Sequence, residues 1–144
     1  ENLPDFEVGM PTRFREWQFR RWIELGAQFF VTGPILDPEV LERHMSRLNL
    51  KPEDPPVYLM IIPPFSPTWV EQMESIGSVP ATDGLKQRLS ELAPDVARKL
   101  GWELTVELEN RARDAGAAGV ILMGLKYDSV VGEAAESWLR RPGS

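Results

Sequence analysis

A chain of 144 residues, 42% hydrophobic and 26% charged, has the size and composition of one globular domain. Its net charge of −6 argues against nucleic acid or an anionic membrane surface as the main partner, and no apolar run reaches the ~18–20 residues of a membrane helix. The absence of cysteine excludes disulfides, thiolate metal sites and cysteine nucleophiles, and it fits a cytoplasmic location.

Apolar runs that predict strands alternate along the chain with segments that predict helices. Strands are expected near residues 6–10, 28–32, 57–62 and 119–124. Helices are expected at 14–25, 38–50 and 67–77, within 78–94, and at 96–116 and 129–141. The strand candidates are apolar throughout, which is typical of a parallel sheet covered by helices and joined by βαβ units. We therefore predict an α/β fold with about four parallel strands.

Individual residues predict where several of these helices begin and end and which side chains share a face. Gly26 and Gly116 are the expected left-handed ends of the helices at 14–25 and 96–116. Asp37, followed by Pro38, is the expected cap of the helix at 38–50. The residues predicted to share one helix face are Phe14, Trp17, Arg21 and Leu25 in the first helix, Val40, Leu41, Met45 and Leu48 in the second, and Ala97, Leu100, Leu104, Leu108 and Ala112 in the long one.

The loops after the strands are the expected functional region, because α/β folds bind their ligands at the carboxyl ends of parallel strands. Gly33 would let a flat ligand approach the backbone. Phe65 and Trp69 could supply an aromatic wall, and Lys126 a cation for a carboxylate. The plainer alternative is that Gly33 forms a turn, Trp69 packs in the core and Lys126 is solvated.

The remaining charged groups have functional and plain interpretations. The Arg-Arg-Trp stretch at 20–22, with Arg13 and Arg15 upstream, forms a basic cluster that would suit a phosphate or diphosphate, although salt bridges to Glu-rich helices are the simpler interpretation. His44 is the only histidine, so it cannot build an imidazole metal site, and a surface or interface role is expected. A solvated helix face, rather than a metal site, is the expected role of Glu103, Glu107 and Glu109. No metal site is therefore predicted.

Three segments, in this order, carry a resemblance to one enzyme family: LGAQFFVTGPILDPEVLERHM, PPVYLMIIPPFS and LGWELTVELENRARDAGAAGVILMGLKYDSVVGEAAE. They are similar to the family's A-G-A-D/N-F-x-I-T-Q-x-x-F-D with its following helix, to its P-I-x-x-G-I-x-P-x-x-S, and to the long helix that runs into its last barrel strand. The family is that of methylenetetrahydrofolate reductase. The resemblance covers nearly the whole chain and implies that residues 1–144 form the C-terminal half of a TIM (β/α)₈ barrel, strands five to eight.

The resemblance implies a domain that binds a reduced folate and, in most members, FAD, which passes hydride to the methylene carbon. The positions implied are Gly33, Phe65, Trp69, Met73 and Lys126 for the substrate, and Gln18 and Arg21 for the cofactor. No catalytic residue is implied here, since the family's acidic catalytic residues belong to the N-terminal half. Gly33 stands where the family usually has a pterin-binding Gln, and Trp22 where it often has a Lys against the flavin diphosphate. We therefore expect this half to hold flavin weakly or not at all.

The resemblance also implies partners. A (β/α)₈ barrel needs eight strands and about 250 residues, so four strands leave two sheet edges open. We expect a missing half-barrel, from the same gene product or a partner chain, and an oligomeric protein. The expected function is the reduction or binding of methylene- or methyl-tetrahydrofolate in one-carbon metabolism. The alternative is a catalytically silent subunit that binds folate or acts as a scaffold in a folate/corrinoid methyl-transfer complex.

Overall fold

The computed structural model describes residues 7–75, 79 and 81–123, which form an α/β structure with four parallel strands. The elements in chain order are β1 (Gly9–Thr12), α1 (Glu16–Glu24), β2 (Phe29–Thr32), α2 (Pro38–Ser46), β3 (Val57–Ile61), α3 (Pro67–Ser75), α4 (Asp83–Ser90), α5 (Pro94–Asp114) and β4 (Gly119–Leu122). The predicted alternation of strands and helices is confirmed within these residues. The helix expected at 129–141 lies outside them.

The strands lie in the sheet in their order along the chain, β1-β2-β3-β4, and each neighbouring pair is parallel. The register is shown by the facing pairs Gly9 with Phe29, Phe30 with Val57, and Tyr58 with Gly119. Each connection therefore places the following strand directly beside the preceding one, and always on the same side of it. A doubly wound sheet differs, because its strand order reverses at a switch point.

Helices cover one face of this sheet. Phe30, Leu59 and Ile61, at alternate strand positions, are fully buried in the main hydrophobic cluster. The helical members of that cluster include Phe19 of α1, Leu41 and Met45 of α2, and Leu108 and Ala112 of α5. Because three helices share one cluster with these strand residues, they pack on the same side of the sheet. A second cluster joins α3 and α4 to α5 through Val70, Met73, Leu85, Leu89, Ala97 and Leu104.

The opposite face of the sheet is apolar and incompletely covered. It consists of Gly9, Pro11, Phe29, Val31, Tyr58, Met60, Gly119 and Ile121, here called the open face. Ile121 is 38% exposed, and Phe29 and Tyr58 are partly exposed. The ring of Phe29 lies over Gly9 and that of Tyr58 over Gly119, since a β-carbon on either glycine would meet the ring. Parallel sheets are usually buried on both faces. The open face therefore resembles a surface that another element covers.

The first helix differs from its prediction. α1 begins at Glu16, and Phe14 precedes it with a positive φ of 55° and a buried ring. Phe19 is the buried residue of α1, whereas Trp17 is 68% exposed. The face predicted from Phe14, Trp17, Arg21 and Leu25 is therefore wrong, because the helix starts two residues later and Phe14 reaches the core from outside it.

Other local predictions are confirmed. Asp37 caps α2, its Oδ1 accepting from the Glu39 amide at 3.0 Å, and Pro38 occupies the first turn. The four residues predicted to face inward in the helix at 38–50 are buried, although α2 ends at Ser46 and Leu48 lies just after it. Gly26 and Gly116 both have φ of 91°, the left-handed conformation that ends a helix most readily at glycine. β1 begins later than expected and includes Pro11, which an edge strand tolerates because one side needs no amide donor.

Candidate functional site

The four strands run in the same direction, so the segments that follow them leave the sheet at one edge, here called the carboxyl edge. In the described part of the chain this edge carries residues 13–15 after β1, 33–36 after β2 and 62–66 after β3. Ligands of parallel α/β folds bind at this edge. Lys126, the predicted cation, lies outside the described residues.

Gly33 occupies the centre of the carboxyl edge. Its amide donates to the Thr12 carbonyl at 3.1 Å, which ties it to β1. A β-carbon at Gly33 would meet no atom within 4 Å, and its φ is not in the left-handed region. The backbone therefore does not require glycine here, and the missing side chain leaves open space. The chain after Gly33 then pairs with β3, through the Ile35–Ile61 bridge.

Phe65 and Trp69 lie together at the loop after β3. The Trp69 indole N–H donates to the Pro63 carbonyl at 2.9 Å, and the Trp69 amide donates to Ser66 Oγ at 3.1 Å. The Phe65 ring packs against Trp102 of α5, with 5.1 Å between ring centroids. Phe65 and Trp69 are both partly exposed. Trp69 is held by its hydrogen bond to Pro63, and Phe65 by its contact with Trp102 of α5.

Met73 differs from these two aromatic residues. It is 2% exposed and belongs to the second hydrophobic cluster, between α3, α4 and α5. Its side chain therefore offers no surface to a ligand in this structure. Met73 is therefore not part of the proposed folate site.

Gln18 and Arg21, the predicted cofactor positions, lie on α1. Arg21 is in the last turn, where its Nη1 donates to Glu24 Oε2 at 2.9 Å and both side chains are exposed. Because α1 follows β1 and returns along the sheet, its last turn is remote from the carboxyl edge. Trp22, beside Arg21 in the sequence, packs against the main cluster. The structure thus does not bring Arg21 to the loops that carry Gly33 and Phe65.

Arg20 is engaged in a structural ion pair. Its Nη1 lies 2.5 Å from Asp54 Oδ1, and its other terminal nitrogen donates to the Asn49 carbonyl. Burial of the Asp54 carboxyl works to raise its pKa, but hydrogen bonds from Arg20 and from the Lys51 amide outweigh burial and hold that pKa below its ordinary value. The two arginines at 20–22 therefore form ion pairs, which agrees with the simpler interpretation. Their partners are Asp54 and Glu24, not the glutamates of the long helix.

A pocket at the carboxyl ends of β1 and β2 brings together residues that the sequence did not connect. Its volume is about 230 Å³, and its lining is Arg13, Phe14, Arg15, Gly33, Pro34, Ile35, His44 and Arg47, here called the basic pocket. Arg13 and Arg15 come from the segment after β1, whereas His44 and Arg47 come from the end of α2. The sequence signalled Arg13 and Arg15 as a cluster but gave no reason to join them to Arg47.

Of the three α5 glutamates predicted to lie on a solvated face, Glu103 is exposed, and Glu107 and Glu109 form ion pairs along the helix. Glu107 Oε1 lies 2.6 Å from Arg111 Nη2, and Glu109 Oε1 lies 3.0 Å from Arg113 Nη2. Both pairs have the spacing of four residues at which opposite charges stabilise a helix. Across the residues that the structure describes, no group of three or more His, Asp or Glu side chains is placed to hold a metal ion. None of the helices in the described part of the chain has the length and apolar character needed to cross a lipid bilayer.

No protein-family model matches this chain, and no curated protein matches its sequence. The likeness to methylenetetrahydrofolate reductases therefore rests on the three sequence segments quoted above.

Proposed function

We propose that this chain is half of a (β/α)₈ barrel that binds a reduced folate at its carboxyl edge, as a methylenetetrahydrofolate reductase-like protein of one-carbon metabolism. One structural observation carries the barrel part of the proposal: a parallel sheet in sequential order, with helices on one face and an apolar open face on the other. In a (β/α)₈ barrel the helices form an outer ring, and the inner face of the sheet is a packed core.

The open face has the composition of such a barrel interior. Phe29, Val31, Tyr58 and Met60 point to the side away from the helices, and their partial exposure would be removed by four further strands closing over them. Closure would also pair the free edges of β1 and β4, which otherwise present unpaired backbone groups. The missing half-barrel is therefore the partner that this sheet requires, from the same gene product or from another chain.

The carboxyl edge offers groups suited to a folate. A pterin is flat and its glutamate tail is anionic, so a site needs an apolar wall, a few hydrogen bonds and one cation. The open space at Gly33 admits a flat ring, and the fixed rings of Phe65 and Trp69 supply aromatic surface. The Trp69 N–H already bonds to Pro63, so this residue offers its ring rather than a donor. Lys126 is proposed as the cation for the tail.

The proposal assigns no flavin to this half of the barrel. Arg21 pairs with Glu24 at the far end of α1, and Trp22 places an indole where the family has a cation. An enzyme would need its acidic catalytic residues, and any flavin contacts, from the missing half. A protein that binds folate without transferring hydride would instead be the silent subunit.

The test is calorimetric titration of the full-length protein with methyltetrahydrofolate. Trp69→Ala and Lys126→Ala are each expected to weaken binding by several-fold to about tenfold, because a stacked aromatic ring and a partly desolvated cation each contribute on the order of 1 kcal/mol. Gln72→Ala, on the exposed side of α3, is the matched control and should bind as the parent does. Unchanged affinity in both Trp69→Ala and Lys126→Ala would place the folate site elsewhere.

A further inference from the structure

We propose that the basic pocket is an anion site that takes the phosphate group of a small molecule. This inference is independent of the folate proposal, because it rests on Arg13, Arg15 and Arg47, none of which the folate site uses. The pocket lies between the ends of β1 and β2 and shares Gly33 with the proposed folate site, but the resemblance assigns no ligand to its arginines.

The first observation is that the lining of the pocket carries positive charge and no negative charge. The chain carries 22 acidic and 16 basic residues, yet the lining of this pocket includes three arginines and no carboxylate. The side chains of these arginines are exposed, and among the described residues none of these side chains has a hydrogen-bond or ion-pair partner. Four arginines of the described residues outside the pocket have carboxylate partners, among them Arg20 with Asp54 and Arg111 with Glu107. The three in the pocket are therefore free to bind a ligand.

The acidic side chain nearest in sequence forms no ion pair with them and has another hydrogen-bond partner. Glu16 follows Arg15 directly, but its carboxylate accepts from the Asn49 side-chain amide at 2.8 Å. That bond joins the start of α1 to the segment after α2, so it helps to hold the two sides of the basic pocket together.

The second observation is a strained backbone between two of the arginines. Phe14 has φ of 55°, a left-handed conformation that a bulky side chain rarely adopts. With Phe14 in this conformation its ring is buried, while Arg13 and Arg15 on either side remain exposed and line the pocket. Such residues persist only where the surrounding structure holds them, and they concentrate at ligand sites.

The third observation is the orientation of His44. The Phe14 ring meets the imidazole edge-on, with 4.9 Å between centroids, and His44 Nδ1 lies 2.9 Å from the Val40 carbonyl. A carbonyl only accepts, so Nδ1 carries the proton and donates to it. The imidazole is thereby fixed by two contacts and forms a rigid part of the pocket wall, beside which the three guanidinium groups supply the donors for an anion.

The arrangement favours phosphate over carboxylate. A guanidinium presents several N–H donors in a planar fork. The donors of three guanidinium groups outnumber the hydrogen bonds that the two oxygens of one carboxylate can accept. A phosphate dianion presents three or more oxygens in different directions and can meet all three forks. The volume of about 230 Å³ equals that of several water molecules at about 30 Å³ each, which suffices for a phosphate group and part of the molecule attached to it.

The experiment is calorimetric titration of the full-length protein with sodium pyrophosphate and, in parallel, with citrate at the same ionic strength. Pyrophosphate is expected to bind with a dissociation constant on the order of 1 mM or tighter. Arg15→Gln and Arg47→Gln are each expected to weaken it about tenfold, since each removes a charge-assisted hydrogen bond. Arg98→Gln, at an exposed arginine on α5 that does not line the pocket, makes the same change of charge and should have no effect.

Thermal unfolding of each variant verifies that it is folded, which the exposure of these side chains leads us to expect. Binding of pyrophosphate that is lost in Arg15→Gln and Arg47→Gln but kept in Arg98→Gln supports the proposal. Three results overturn it: no saturable binding, an equal effect of Arg98→Gln, or citrate binding as tightly as pyrophosphate with the same dependence on the two arginines. The last result would make the pocket a carboxylate site.

Discussion

Gly101 of α5 faces the carbonyl oxygen of Pro64 so closely that a β-carbon at Gly101 would lie 2.7 Å from that oxygen. The contact lets the helix approach the loop after β3 without an intervening side chain. Trp102, the next residue, packs against Phe65 of the same loop. The position of the aromatic part of the carboxyl edge is thus set by a glycine in a helix that begins some thirty residues later in the chain.

Replacing Gly101 with alanine should destabilise the protein. Alanine favours a helix by about 1 kcal/mol over glycine, but here the added carbon would collide with backbone, so we expect a net loss of about 1–3 kcal/mol in the free energy of unfolding. Gly84→Ala in α4 is the control, because its nearest atom, Thr82 Oγ1, is 3.9 Å away. Urea denaturation measures both. Equal stability of the two variants would contradict the close contact.

Asp54→Asn should destabilise the protein in a pH-dependent manner. The Arg20 contact lowers the pKa of Asp54 below 3.8, so the folded state binds the proton less readily than the unfolded chain does. The stabilisation is therefore complete above about pH 5 and is lost as the pH falls through the folded-state pKa. We expect a loss of about 1–3 kcal/mol at pH 7 that shrinks toward pH 3, measured by urea denaturation.

The exposed pair Arg21–Glu24 provides the comparison for Asp54. Arg21→Gln should change the stability by less than about 0.5 kcal/mol at either pH, because exposed ion pairs contribute little. A constant effect of Asp54→Asn between pH 7 and pH 3 would show that its charge does not stabilise the fold.

The sequence was sufficient where the signals were local. Asp37 and Pro38 identified the start of α2, and Gly26 and Gly116 the ends of two helices, because capping and left-handed termination depend on a few adjacent residues. It failed at α1, since nothing in the spacing of apolar residues shows that Phe14 adopts a positive φ before the helix begins.

For the candidate site, Gly33 and the Phe65–Trp69 loop could be located from strand ends alone. The basic pocket could not, because it forms only when the segment after β1 meets the last turn of α2. Sequence proximity instead grouped Arg13 and Arg15 with residues 20–22, whose arginines the structure pairs elsewhere.

Ile121→Lys tests whether the open face is an interior. If four further strands cover it in the full-length protein, a lysine there would be buried without a partner, and we expect a loss of several kcal/mol or a failure to fold. Val96→Lys is the matched control, since Val96 is a similarly exposed apolar residue on α5. Thermal unfolding compares the two. If Ile121→Lys is tolerated as well as Val96→Lys, the face is solvated and the half-barrel proposal fails.

Gly33→Gln tests the proposed pterin contact. The space around Gly33 is open, so a glutamine there should leave stability within about 0.5 kcal/mol. A side-chain amide there can hydrogen-bond the pterin, and we expect methyltetrahydrofolate to bind several-fold more tightly. Gly33→Ala is the control and should bind as the parent does. Weaker binding by Gly33→Gln alone would mean that the open space is already filled by the ligand.

The sequential strand order has a consequence for how the chain folds. β1 and β2 are joined by one helix, and so are β2 and β3, so their pairing requires only short loops to close. β3 and β4 are separated by three helices, and their pairing must close the longest loop. Since contacts between residues distant in sequence form slowly, β4 is expected to join last, after the first three strands have formed a template for it. The sheet would thus form from β1 toward β4, which is the order in which a ribosome releases the chain.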